Sequence, residues 1–110
     1  MDALYHLIIY VPVPDAQSVR DAMAQAGAGK IGAYDSCSFS TPGTGRFRPL
    51  PASHPAIGKK GIVEEVKEER IEAVVTEKDL QGVLRAIKKI HPYEEPAIHV
   101  LPMVDYHQYL

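Results

Sequence analysis

Two hydrophobic periods alternate along the chain, and their alternation lays out its elements in order. Leu4 to Val11 (LYHLIIYV) is rich in β-branched and aromatic residues at period two. Tyr5, Leu7, Ile9 and Val11 form an apolar row, and His6, Ile8 and Tyr10 a mixed one. This predicts a strand, ended by Pro12 and Pro14, which remove backbone donors. Asp15 follows as a cap, and Val19, Ala22, Met23 and Ala26 recur at helical spacing until Gly27, which predicts a helix closed by a glycine.

From Gly27 to Gly61 the period dissolves into Gly, Pro, Ser, Thr and aromatics. A strand is expected at Tyr34 to Ser40 and a short one at Arg46 to Leu50, joined as a hairpin by Pro42-Gly43-Thr44-Gly45. Leu50 to Gly61 reads as an irregular loop. Ile62 to Thr76 then alternates as one long strand. Ile62, Glu64, Val66 and Glu68 share one row, but beyond Arg70 the apolar residues Ile71, Ala73 and Val75 take the other parity, which predicts a bulge or bend near Glu69-Arg70. The acidic run Glu64 to Glu72 reads as a solvated two-stranded arm. Asp79 opens a second helix carrying Leu80, Val83, Leu84, Ile87 and Ile90, with Arg85, Lys88 and Lys89 in the last turns, where cations complement the helix dipole. His91-Pro92 stops it. Ala97 to Met103 is the last strand, followed by the short apolar tail Tyr106 to Leu110.

The order β-α-β-β-α-β predicts an α+β ferredoxin-like split βαβ sandwich, with four main strands plus a short extra hairpin strand and two helices on one sheet face. It is expected to form a single domain over 1–110, with a glycine-rich hairpin and loop region at 27–61. In this topology the first and last strands are neighbours, so the open face carries His6, Ile8 and Tyr10 beside His99 and Leu101. That face is too apolar to stand exposed, which predicts burial against further copies, in a trimer or a dimer.

Composition narrows the classes. A chain of 110 residues with 45% hydrophobic and 24% charged residues is neither fibrous nor disordered and allows one core, without a cleft between two lobes. A net charge of -2 gives no bulk attraction to nucleic acid or an anionic membrane. The single cysteine, Cys37, excludes a disulfide framework and suits a reducing cytoplasm. The longest apolar stretch, Leu7 to Val13, contains Pro12 and is far shorter than the roughly 20 residues of a membrane helix.

Candidate chemistry is sparse. Gly27-Ala28-Gly29-Lys30-Ile31-Gly32 matches G-x-G-x-x-G, but it follows a helix and leads into a strand, so it reads as a helix cap and turn rather than a pyrophosphate cradle. None of the five histidines stands in a metal-ligand pair at helical spacing. His91-Pro92-Tyr93-Glu94-Glu95-Pro96 is the most unusual segment: two prolines fix a rigid corner that presents an imidazole, a phenol and two carboxylates. The candidate ligand-binding residues are therefore His91, Tyr93, Glu94 and Glu95, joined by Cys37 and His54 from the glycine-rich half. A divalent metal would draw its ligands from His91, His99, Glu94, Glu95 and Cys37.

Five blocks carry a family resemblance: GAGKIGAYDSCSF from Gly27, GTGRFRP from Gly43, PAIG from Pro55, EVKEERIE from Glu65 and HPYEEP from His91. In this order and spacing they resemble the YqfO branch of the Nif-three-like proteins, in the inserted domain described as PII-like or CutA-like. The ending HPYEEPAIHVLP also looks like the end of CutA, the divalent-cation-tolerance protein, which is trimeric. The resemblance implies the ferredoxin-like fold and assembly through sheets, in a stand-alone copy of the insert. It brings no catalytic residue. The larger family's dinuclear metal site lies on flanking lobes, whose ligands map onto no position here. The reading that results is a cytoplasmic, non-catalytic oligomeric module that binds a small ligand, metal ion or protein partner at subunit boundaries. The alternatives are a divalent-metal-binding protein in cation homeostasis and a hydrolase related to the Nif-three-like family.

Overall fold

The computed structural model describes residues 3–110. Its elements are β1 (Leu4–Pro12), α1 (Ala16–Ala26), β2 (Phe39–Phe47), β3 (Glu64–Thr76), α2 (Glu77–Ile90) and β4 (Ile98–Met103). Short 3-10 turns lie at Val13–Asp15 and Tyr106–Tyr109. The four strands form one antiparallel sheet in the order β2-β3-β1-β4, which is the ferredoxin-like arrangement expected. No helix among the described residues is long and apolar enough to cross a membrane.

The core lies between the helices and one sheet face. Leu7, Ile9 and Val11 of β1 and Ile71, Ala73 and Val75 of β3 meet Ala16, Val19 and Met23 of α1 and Val83 and Ile87 of α2, all buried. Removing these side chains from water is the main drive for folding, at roughly 1.5–3 kcal/mol for each large aliphatic residue. Arg20 of α1 reinforces the layer from its edge, donating to the Glu69 carboxylate of β3 at 2.5 Å and to Ser40 Oγ of β2 at 3.1 Å.

Three expectations change. The hairpin at Pro42–Gly45 does not form; Phe39–Phe47 runs through it as one strand, so the described residues contain no extra hairpin strand. Because β2 is a sheet edge, Pro42 tolerates the extended path with no donor to offer. The bulge near Glu69-Arg70 is also absent, since β3 pairs without a break with β2 from Glu64 to Glu72 and with β1 from Glu68 to Thr76. The apolar parity changes because the covered face changes. At the 71–75 end the helices cover one face, whereas Glu64, Val66 and Glu68 are partly or wholly buried on the opposite face by the segment beyond β2. Finally, α2 starts at Glu77, two residues before Asp79. Thr76 is its N-cap, and the Thr76 hydroxyl donates to the Asp79 carboxylate at 3.4 Å.

The turn after α1 is a cap, as its sequence suggests. Gly27 closes the helix in the left-handed region. Gly29, also at positive φ (80°), donates its N–H to Val74 O at 2.7 Å and accepts from Cys37 N–H at 3.0 Å. A Cβ on Gly29 would fall onto the Cys37 backbone, so this stitch between loop and sheet requires glycine.

Candidate functional site

The site begins where α2 ends. His91 closes the helix, its N–H donating to Ile87 O at 2.8 Å, and its side chain is 6% exposed. Tyr10 of β1 donates its N–H to Ala97 O at 3.2 Å, just beyond the start of β4, so its carbonyl points to where a longer β4 would continue. His91 Nε2 takes that place, 2.8 Å from Tyr10 O. Nδ1 accepts the Tyr93 N–H at 3.1 Å. With a carbonyl on one nitrogen and an N–H on the other, the ring carries its proton on Nε2. It serves as a peg between α2, β1 and the corner that follows.

The peg sends Tyr93 onto the sheet face opposite the helices. Its hydroxyl donates to Glu68 at 2.9 Å, and its ring meets Phe47 edge to face with centroids 5.5 Å apart. Burial, and then the hydrogen bond to Glu68, hold the Tyr93 phenol well above the usual tyrosine range. Glu68 is 8% exposed, and its carboxylate lies across Gly45, where any Cβ would collide with it. The extended Gly45 on the edge strand is therefore what lets a carboxylate lie flat against the ribbon.

Residues 48–57 fold over this floor. Ser53 closes the loop on itself through both its N–H and its hydroxyl to Leu50 O, and Glu94 Oε1 accepts the His54 N–H at 3.1 Å, tying loop to corner. Between them lies an open cleft of about 850 Å³, walled by Pro49, Leu50, Pro55 and Ile57 and floored by Tyr10, Phe47, Glu68 and Tyr93. That volume suits a small organic molecule.

The structure gathers some of the sequence candidates and scatters others. Tyr93, Glu94 and Glu95 line the cleft, whereas His54 is outside the lining and is tied to it only through its N–H to Glu94. His91 supports the cleft from behind, with both ring nitrogens engaged inside the chain. Cys37 lies on the α1 side of the molecule, beside a depression of about 130 Å³ shared with Gln17 and Arg20, and its thiol donates to Asp35 O at 3.7 Å. His99 stands on the open sheet face, edge-on to Tyr10 with centroids 5.5 Å apart. Among the described residues no three His, Cys, Asp or Glu side chains of one chain converge as a metal site.

The open face is more polar than its sequence suggests. Ile8 is buried within the chain, while His6 bonds Glu72 at 2.8 Å and Arg70 sits 5.8 Å from the centre of the Tyr10 ring. Leu101 remains 49% and Phe39 67% exposed. Sequence reasoning overlooked Glu68, placed in a solvated arm, together with Gly45 and Phe47. Their signal was present: Gly45 and Phe47 share a face with Val66 and Glu68, a half-apolar row that a solvated arm does not need.

The chain is 44% identical over 104 residues to a GTP cyclohydrolase 1 type 2 homolog from Halalkalibacterium halodurans, covering 94% of this chain and 28% of that protein. It is 45% identical over 97 residues to the protein of the same name from Mycobacterium tuberculosis, covering 88% of this chain and 26% of that one. The chain thus spans about a quarter of the length of these relatives. No family model matches it. Among solved structures, the Bacillus cereus protein related to NIF3 superposes with a TM-score of 0.82 at 38% identity, over 94% of this chain and 26% of that one. CutA from Synechococcus elongatus superposes at 0.68 with 21% identity, over 94% and 80%, a likeness of fold alone. The resemblance carried by the five sequence blocks therefore holds along nearly the whole chain.

Proposed function

We propose, for a chain homologous to a segment of the GTP cyclohydrolase 1 type 2 homologs and sharing the CutA fold, that it is a non-catalytic binding module of the cytoplasm. It self-associates through its open sheet face and holds a small organic ligand in the cleft between the HPYEEP corner and the β2–β3 ribbon. The observation that carries this reading is the cleft itself: segments 40 or more residues apart in sequence are tied together around a concave, largely apolar space. Binding is favoured over catalysis because the Ser53 hydroxyl is turned to the Leu50 carbonyl, and the Tyr93 hydroxyl, although it meets the Glu68 carboxylate, is held well above the usual tyrosine range, the opposite of an activated nucleophile. Self-association is supported by the uncovered face, where Leu101 and Phe39 stand exposed, and by the exposed Val104, Tyr106, Tyr109 and Leu110 at the same end of the chain as β4.

Light scattering at micromolar concentration should give two or three times the 12.1 kDa chain mass, falling to one in Leu101→Glu. A monomeric native chain would end the assembly half of the reading. Saturation-transfer NMR with small aromatic fragments should show contact that Ala56→Trp, a loop change filling the cleft, removes. Fragments that bind equally well to this variant would place the site elsewhere.

A further inference from the structure

We propose that the cleft takes an organic cation, an ammonium or guanidinium head on an apolar body, with Glu68 as its counter-charge. This rests on the cleft being a ligand site and names the class of ligand. Glu68 is 8% exposed, which is rare for a glutamate unless it is paired. No Lys, Arg or His among the described residues lies within ion-pair distance of it. Its only hydrogen bond among those residues comes from a neutral group, the Tyr93 hydroxyl on Oε2, and Oε1 accepts none. The carboxylate is mostly withdrawn from water with no cation beside it, and its unbonded oxygen is open to the cleft, where a cation can be supplied from outside.

The surroundings fit such a head. Phe47 and Tyr93 bring aromatic rings to the same cleft as the carboxylate, beside Tyr10, whose ring Arg70 already overlies, and ring faces attract cations. Glu94 and Glu95 add negative charge from the corner. Of the two arginines in the lining, Arg46 is engaged by Glu65 at 3.5 Å, so Arg48 stands against three carboxylates. Leu50 and Ile57 offer an apolar wall to the body of the molecule. An anionic ligand would meet Glu68 at the floor, and a neutral one would leave it uncompensated.

The test is isothermal titration of the native chain with three probes of nearly equal shape: phenethylammonium, 2-phenylethanol and phenylacetate. The cation should bind at least tenfold more tightly than the alcohol, with phenylacetate weakest. Glu68→Gln, which keeps the shape and removes the charge, should cost the cation at least tenfold while leaving the alcohol within about threefold. The probe series needs no variant, so a poorly folded Glu68→Gln protein does not blunt it. Equal binding of cation and alcohol, or preference for phenylacetate, overturns the cationic class and leaves the cleft reading standing. Absence of heat with all three at millimolar concentration overturns both.

Discussion

Replacing His91 by phenylalanine keeps a planar ring in the space and removes both of its polar contacts. Tyr10 O then loses its donor at 2.8 Å and Tyr93 N–H its acceptor at 3.1 Å. A buried backbone group left without a partner costs about 1–3 kcal/mol. Tyr10 O sits where the β1–β4 ladder ends and Tyr93 N–H in a half-buried corner, so the lower half of that range applies to each, giving about 2–4 kcal/mol for the pair. For a domain of this length, each kcal/mol moves the midpoint by about 4 °C, so thermal unfolding should fall by about 8–16 °C. The assay is circular dichroism at 222 nm, with native and variant chains at one fixed concentration, because self-association would otherwise shift the midpoint by mass action. Nitrogen NMR of the native ring should also show the proton on Nε2. A His91→Phe midpoint within 2 °C of native would refute the role of the ring as a substitute for the missing strand residue.

Three further outcomes follow from the same geometry. The Tyr93 phenol is raised in the folded state, so its contribution to stability is complete below the unfolded tyrosine value near pH 10 and is lost as pH climbs through the higher folded value. Absorbance titration at 295 nm should show a late tyrosine step, to which Tyr5 also contributes through its hydrogen bond with Glu77, and Tyr93→Phe should remove the last part of it. Gly29→Ala should destabilise by about 3 kcal/mol or more in urea unfolding, since it combines a positive φ with a collision against the Cys37 backbone; a loss under 1 kcal/mol would mean that the turn can rearrange. Gly45→Ala should displace the Glu68 carboxylate and break its bond to Tyr93, bringing the Tyr93 titration back toward the ordinary range; an unchanged titration curve would refute that placement.

The architecture was legible because its signals are local and repeated. Alternation in Leu4 to Val11, three- and four-residue spacing in Val19 to Ala26 and in Leu80 to Ile90, and a glycine at the end of α1 each report on burial of a single element. Errors arose where one element's fate depends on another. Pro42-Gly43-Thr44-Gly45 has hairpin composition, and only its place on an edge strand, with Glu68 lying across Gly45, makes the extended path the better one. The parity change in β3 looked like a bulge because a pattern of burial cannot say which layer does the burying. The candidate site was half visible. Tyr93, Glu94 and Glu95 stood out through their prolines, whereas the burial of Glu68 requires the corner to reach across 25 residues of sequence. His91 drew attention as a ligand, and both of its ring nitrogens meet partners within the chain.

The switch of covered face along β3 also divides how the strand opens. The amides of Ala73 and Val75 face β1 over the helix-covered core and exchange with solvent only when that core comes apart. Those of Glu64 and Val66 face β2, where β3 has no other neighbour, so fraying of the ribbon exposes them at lower free energy. A molecule seated in the cleft braces the ribbon and leaves the helix layer almost untouched. It should slow exchange at the paired amides of 64–67 and, because the unfolded chain cannot hold it either, raise the melting midpoint in step, tenfold protection corresponding to about 5–6 °C.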